Sequence, residues 1–203
     1  MSIIIAGIHT GIGKTICSAV ICQALGYDYW KPVQAGDLEN SDTLFIQKNV
    51  SNPRCIIHRE SYRLRTAASP HYAAEMDGIE IKKENIVLPS ASNNIVVETA
   101  GGLMSPLAKN FINIDLIEHL QLPVILVAAN YLGSINHTLL SFLALQNRHI
   151  KTLGIVFSGS TVEASQQYIL AHTKLNLLFS IPVFEQVNVE SIKKFSNSIS
   201  INI

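Results

Sequence analysis

Ile3-Ile4-Ile5-Ala6-Gly7-Ile8-His9-Thr10-Gly11-Ile12-Gly13-Lys14-Thr15 runs from a short apolar strand through a glycine-rich turn into a helical pattern that starts at Lys14. That order, strand then glycine turn then helix with Gly-Lys-Thr at the joint, makes a phosphate-binding loop. Glycines let the backbone turn so that successive N–H groups point inward, and the helix N-terminus adds partial positive charge. Lys14 then reaches the β- and γ-phosphates, and the Thr15 hydroxyl is placed to ligate Mg²⁺. The usual spacing puts four residues between the first glycine and Gly-Lys-Thr. Here Ile8 holds that position, and the glycine lies one place earlier, at Gly7.

Outward from the loop, short β-branched runs alternate with helical patterns. Strands are expected at Ile3–Ala6, Tyr27–Lys31, Ile95–Glu98, Val124–Ala128, Leu153–Phe157 and, more weakly, Leu178–Ile181. Helices are expected at Lys14–Leu25, Ser41–Asn49, Ile114–Gln121, Ile135–Asn147 and Val162–Lys174. This alternation predicts an α/β, P-loop NTPase-like fold, a mostly parallel β-sheet with helices on both faces. Between Pro53 and Asn94 the pattern is least regular, because Pro70, Gly78 and Pro89 interrupt weak helical stretches. The 203 residues fit a single P-loop domain spanning 1–203, with ample length for a core.

Composition narrows the partner. Lys+Arg and Asp+Glu each number 15, so the formal charge is zero, and 48% of residues are hydrophobic. That balance excludes intrinsic disorder. Lys and Arg never cluster beyond a pair, which gives no electrostatic reason for a nucleic-acid groove or an anionic membrane surface. Mean hydropathy is high at +0.27, yet runs such as Val124–Ala129 fall far short of the ~20 residues a spanning helix needs. The first residues read as a strand and not as a signal peptide, so a cytoplasmic location is expected. Cys17, Cys22 and Cys55 are odd in number and lack metal-ligand spacing.

A phosphate loop does not by itself distinguish a kinase, a ligase, a GTPase switch or a partitioning ATPase. Three further residues bear on the choice. Lys31 opens Lys31-Pro32-Val33-Gln34-Ala35-Gly36, where Pro32 fixes φ and Gly36 permits a sharp turn at the carboxyl edge of the sheet. A lysine there can hold a negatively charged intermediate beside the γ-phosphate without transferring a proton. Asp42 lies in the first turn of a helix, and Glu98 ends the buried run Ile95-Val96-Val97 and leads into Thr99-Ala100-Gly101-Gly102. Thr15, Asp42 and Glu98 together offer Mg²⁺ one hydroxyl and two carboxylates from separate strand ends. The pair Gly101-Gly102 allows close backbone approach to a nucleotide.

With these residues in view the chain resembles the dethiobiotin synthetase family over nearly its whole length. The resemblance rests on Gly7–Thr15, Lys31-Pro32-Val33, Asn40-Ser41-Asp42, Ser69-Pro70-His71, Glu98–Gly102, Pro123–Val127 and Leu132-Gly133-Ser134-Ile135-Asn136-His137. It implies that 7,8-diaminononanoate takes up CO₂ as a carbamate, which attacks the γ-phosphate of ATP, after which the second amine closes a ureido ring. Lys31 and Lys14 would be catalytic, and Thr15, Asp42 and Glu98 would hold Mg²⁺. The nucleotide would be bound by Gly11, Ile12, Gly13, Lys14, Thr15, Ile16, Asp42, Glu98, Thr99, Ala100, Gly101, Ser158, Gly159, Pro182, Val183 and Phe184. Thr10 and Lys31 would touch the substrate. Gly133, Ser134, Ile135 and Asn136 would take its carboxylate across a two-fold homodimer interface, in keeping with a helix start as an anion site.

Three positions depart from the family pattern. Ala35 stands where a serine or threonine hydroxyl near the substrate amines is usual, a loss worth about 0.5–1.5 kcal/mol. Thr99 replaces the glycine that normally follows the glutamate. Ser158 replaces an asparagine whose amide reads adenine, so a looser choice among nucleotides is expected. The chief alternative is a partitioning or carrier ATPase switch of the same superclass. Those chains carry an additional loop lysine where this one has His9 followed by Thr10.

Overall fold

The computed structural model describes all residues, 1–203. Its elements in chain order are β1 (Ile3–Gly7), α1 (Lys14–Leu25), β2 (Asp28–Trp30), β3 (Val33–Ala35), α2 (Asp42–Asn49), β4 (Tyr62–Leu64), α3 (Pro70–Asp77), β5 (Ile95–Gly102), β6 (Pro106–Ala108), β7 (Phe111–Ile112), α4 (Asn113–Leu120), β8 (Val124–Ala129), α5 (Ser134–Asn147), β9 (Thr152–Ser158), α6 (Glu163–Thr173), β10 (Leu177–Ile181) and α7 (Val189–Ser198). Six strands form one sheet in the order β10-β9-β8-β1-β5-β2, every neighbouring pair parallel.

Parallel strands covered on both faces need continuous apolar runs, and the central ones have them. Ile3, Ile4 and Ile5 of β1, Val96 and Val97 of β5, Val124 to Val127 of β8 and Ile155 and Val156 of β9 are all buried. Cys17, Val20, Ile21 and Cys22 of α1 bury against them, so two of the three cysteines are core residues. No helix is long and apolar enough to cross a membrane.

All six expected strands and five expected helices form, with ends moved by at most one residue except that β5, expected to end at Glu98, runs on to Gly102. Four features went unread. Val33–Ala35 and Tyr62–Leu64 pair as a separate parallel ribbon, too short to show a period. In α3, Pro70 occupies the first turn and Gly78 ends the helix at φ 66°, so two of the three residues that break the pattern are its boundaries. A two-stranded antiparallel turn, β6–β7, follows the glycines of β5. Asn188 starts α7 by accepting from the Ser191 N–H at 2.9 Å, and only Ile192 and Ser196 of the helix are buried.

Candidate active site

The loop between β1 and α1 sits at the carboxyl ends of the central strands, where open α/β sheets bind ligands. Gly11 and Gly13 take φ of 68° and 92°, a region that side chains rarely adopt. Gly13 has a second reason to be glycine: a Cβ there would stand 2.2 Å from Ser158 Oγ. The Lys14 ammonium donates to the His9 carbonyl at 3.1 Å, folding the side chain back over the loop. Burial pulls the Lys14 pKa down to about 8, against the upward pull of Glu98 and with some help from the Lys31 charge.

Behind the loop four side chains converge, from α1, α2, β5 and the residue that follows β2. Ser41 caps α2, accepting from the Leu44 N–H at 3.3 Å, and so sets Asp42 in the first turn. Thr15 Oγ1 lies 2.5 Å from Asp42 Oδ1 and 2.9 Å from Glu98 Oε1. A hydroxyl has one proton, so it donates to one of these carboxylates at a time. The Lys31 ammonium bridges both acids, bonding Asp42 Oδ2 and lying 3.4 Å from Glu98 Oε1. Burial disfavours the charged form of Lys31, but Glu98 and Asp42 outweigh it and raise its pKa. Burial likewise pushes Asp42 up, and the charge and hydrogen bond of Lys31 more than reverse this, leaving its pKa lowered. The two carboxylates thus favour the ammonium form of Lys31, a form well suited to neutralise an anion.

Beside Lys31 opens a cavity of about 390 Å³, walled by Thr10, Lys31, Gln34, Ala35, Asp42, Ser69 and Gly101 among others. Lys31, Thr10 and Ala35 thus meet as the sequence led one to expect. A wider cavity, about 620 Å³, lies beyond Thr10 and reaches His137 and Leu140 on α5. Gln34 was not singled out in the sequence. It is buried in the wall with its Nε2 donating to the Gly36 carbonyl at 3.0 Å, while its Oε1 has no partner. Its place after Lys31-Pro32-Val33 was the available signal.

The other positions divide by location. Gly101 turns at φ 82°, and the Asn113 amide holds the turn by donating to the carbonyls of Ala100 and Gly102. Thr99 is buried, and its hydroxyl donates to the Ile5 carbonyl at 3.3 Å, so that side chain serves the sheet. Ser158 ends β9 and Gly159 follows it, with the Gly159 N–H donating to the Ile181 carbonyl at 2.9 Å, which brings the segment Pro182-Val183-Phe184 beside them. Val183 is exposed, whereas Phe184 packs edge-on against Phe195 at 5.7 Å. Gly133, Ser134, Ile135 and Asn136 open α5 but line neither cavity, so within one chain they do not meet Lys31.

Two residues that sequence reasoning missed grip Glu98 from behind. Its Oε2 accepts from Ser18 Oγ at 2.9 Å and from the Tyr29 phenol at 3.0 Å. Both are buried, and they had no signal because neither lies in a motif.

Comparison with known proteins gives the family and the fold. The family model of an AAA domain matches residues 1–191. Relatives named ATP-dependent dethiobiotin synthetase BioD include one from Christiangramia forsetii, 46% identical, covering 96% of this chain and 95% of that protein. One from Rhodopseudomonas palustris is 42% identical over 94% of this chain and 90% of its own length. Among solved structures, a ParA family ATPase from Chlorobium tepidum matches with a TM-score of 0.61 at 11% identity, covering 97% of each chain. The MinC:MinD complex of Aquifex aeolicus matches at 0.58 and 15% identity, over 95% of this chain and 85% of that one. These two show the fold alone. The identities of 40–46% along almost the whole sequence show more: the chain is an enzyme and belongs to the ATP-dependent dethiobiotin synthetase family.

Proposed function

We propose that this ATP-dependent ligase of biotin biosynthesis joins CO₂ to 7,8-diaminononanoate and closes the ureido ring of dethiobiotin. The observation that carries the reading is the buried Lys31 ammonium, set between Asp42 and Glu98 at the wall of a cavity that adjoins the phosphate loop. In this scheme one amine adds to CO₂, forming a C–N bond and releasing a proton. A carbamate oxygen attacks the γ-phosphorus, the bond to the β-phosphate oxygen breaks, and ADP leaves. The second amine then attacks the carbamoyl carbon, forming the second C–N bond as phosphate departs and a proton is lost.

Each step moves negative charge across the Lys31–Lys14 side of the site. Two ammonium groups fixed beforehand lower the energy of that charge without reorganising during reaction. Lys31 neither gives nor takes a proton, which suits a group whose pKa is raised. Thr10 and Gln34 border the substrate cavity, and the turn at Gly101 lets the backbone come close to the nucleotide.

Thr15, Asp42 and Glu98 fit Mg²⁺. They are hard oxygen donors, one hydroxyl and two carboxylates, with the Thr15 oxygen 2.5 and 2.9 Å from the others, and no nitrogen or sulfur ligand among them. Bound there, Mg²⁺ would supply positive charge to the β- and γ-phosphate oxygens.

A second copy of the chain supplies the remaining binding group in this reading, with Gly133–Asn136 of each subunit taking the substrate carboxylate of the other. Exposed Leu132, Leu140 and Leu143, in and just before α5, support a self-association face there. A partitioning switch is favoured by fold likeness only, and His9-Thr10 stands where its additional lysine would be. The test is to incubate the purified chain with the diamine, bicarbonate, Mg²⁺ and ATP. Dethiobiotin by mass spectrometry is the expected result, and ADP without any cyclic urea would overturn the reading.

A further inference from the structure

We propose that Tyr29 is a positioning residue which, with Ser18, holds Glu98 so that a single carboxylate oxygen faces the divalent cation and phosphates. The inference rests on the reading above that Glu98 is a ligand of that cation, and it assigns the machinery that aims the ligand.

The two oxygens of Glu98 have separate surroundings. Oε1 points to the reacting side, 2.9 Å from Thr15 Oγ1 and 3.4 Å from the Lys31 ammonium. Oε2 points inward, 3.0 Å from the Tyr29 phenol oxygen and 2.9 Å from Ser18 Oγ. Two donors on one oxygen fix the plane of the carboxylate and favour one-oxygen ligation by the other. A buried carboxylate without such partners would be free to turn and present either oxygen or both.

Tyr29 is the stronger of the two holders for a chemical reason. Ser18 has one hydroxyl proton and two acceptors in range, Glu98 and the Lys14 carbonyl at 3.0 Å, so its bond to Glu98 is shared. The phenol of Tyr29 has Glu98 as its one acceptor. Its position is also set by backbone. Tyr29 pairs with Val96 in the parallel register of β2 on β5, and Glu98 lies two residues on along β5, on the same face as Val96. On the other edge the Tyr29 N–H donates to the Ile56 carbonyl at 2.9 Å, and its carbonyl accepts from the His58 N–H at 2.8 Å. A ring so anchored places its oxygen within narrow limits, as outer-shell partners of metal ligands do.

The test uses Tyr29→Phe, which removes one oxygen and keeps the ring, with Mn²⁺ as probe. Mn²⁺ affinity is measured by electron paramagnetic resonance in the presence of ADP, and ADP affinity is measured separately in chelator. The expected result is Mn²⁺ affinity weakened by about 10- to 100-fold with metal-free ADP affinity changed by less than about twofold. Unchanged Mn²⁺ affinity would overturn the inference, and so would a parallel loss of both affinities, the mark of a merely structural role. Should Tyr29→Phe fail to fold, Ser18→Ala carries the test: weakening confined to Mn²⁺, roughly threefold or more, supports the inference, and no weakening overturns it. If the unaltered protein shows no ADP-dependent Mn²⁺ site, the assignment of Glu98 as a ligand fails, and this inference falls with it.

Discussion

Lys31 and Glu98 face each other at 3.4 Å with side chains 7% and 1% exposed, and the half-buried Asp42 completes a triad around the single ammonium. Removing a partner from such a group leaves buried charge uncompensated, which costs about 3–5 kcal/mol. Lys31→Gln is expected to lower the thermal midpoint of the metal-free protein. It is also expected to lower kcat by about two to three orders of magnitude, as loss of a fixed transition-state charge does. Mg²⁺ with ADP should raise the midpoint of the variant more than that of the parent, because the cation brings positive charge back to the same carboxylates. Calorimetry and steady-state rates check both, and near-normal turnover would remove the role assigned to Lys31.

Lys14 gives a pH-dependent signature. Burial holds its pKa down to about 8, while Glu98 and Asp42 favour the charged form and Lys31 opposes it. Phosphate oxygens beside it favour the ammonium further, so its pKa rises when nucleotide binds. Above pH 8 the free protein carries a growing fraction of neutral Lys14, and binding must take up a proton. At pH 8.5, titration calorimetry in two buffers of different ionisation enthalpy should show net uptake; at pH 6.5 this group is already protonated and contributes none. Lys14→Met should abolish the difference.

Gly13 is constrained twice, by φ of 92° and by Ser158 Oγ at 2.2 Å from where a Cβ would stand. Gly13→Ala should therefore lose nucleotide binding and destabilise the fold by more than about 1–2 kcal/mol. Adding Ser158→Gly relieves the overlap and leaves the backbone strain. The double variant should recover part of the stability in denaturant titration, and full recovery would show that φ matters less than argued.

Ser158 also bears on nucleotide choice. Its hydroxyl is packed against the phosphate loop, and it has no amide to donate and accept at once on a base edge. Sites that read a ligand through dedicated polar groups discriminate by about 10⁴ or more, and sites without them by far less. Values of kcat/KM for ATP, GTP and CTP are expected to lie within about tenfold of one another. A preference for ATP above about a hundredfold would contradict this.

Much of the site was legible because its members sit where local rules are strong. Gly7–Thr15 is contiguous, Asp42 follows a capping serine, and Glu98 ends an apolar strand, so each announces itself within a few residues. Lys31 was readable from Pro32 and Gly36, which mark a strand edge. The parts that stayed hidden depend on register. Tyr29 reaches Glu98 only because β2 lies on β5 with Tyr29 against Val96, a pairing across more than sixty residues that no local pattern encodes. The β3–β4 ribbon arises in the same way, from a tertiary pairing of Val33–Ala35 with Tyr62–Leu64. In α3, Pro70 and Gly78 read as interruptions in one dimension and act as helix boundaries in three. Thr99 faces the sheet, a direction that its place after Glu98 did not reveal.

In the proposed reaction ATP is expected to be cleaved only when a carbamate of the diamine stands beside Lys31. ADP release measured with Mg²⁺, ATP and bicarbonate, with and without 7,8-diaminononanoate, tests it most directly. The account predicts almost no ADP without the diamine, and with it one ADP for each ureido ring formed. Equal rates of ADP release in both mixtures would contradict it.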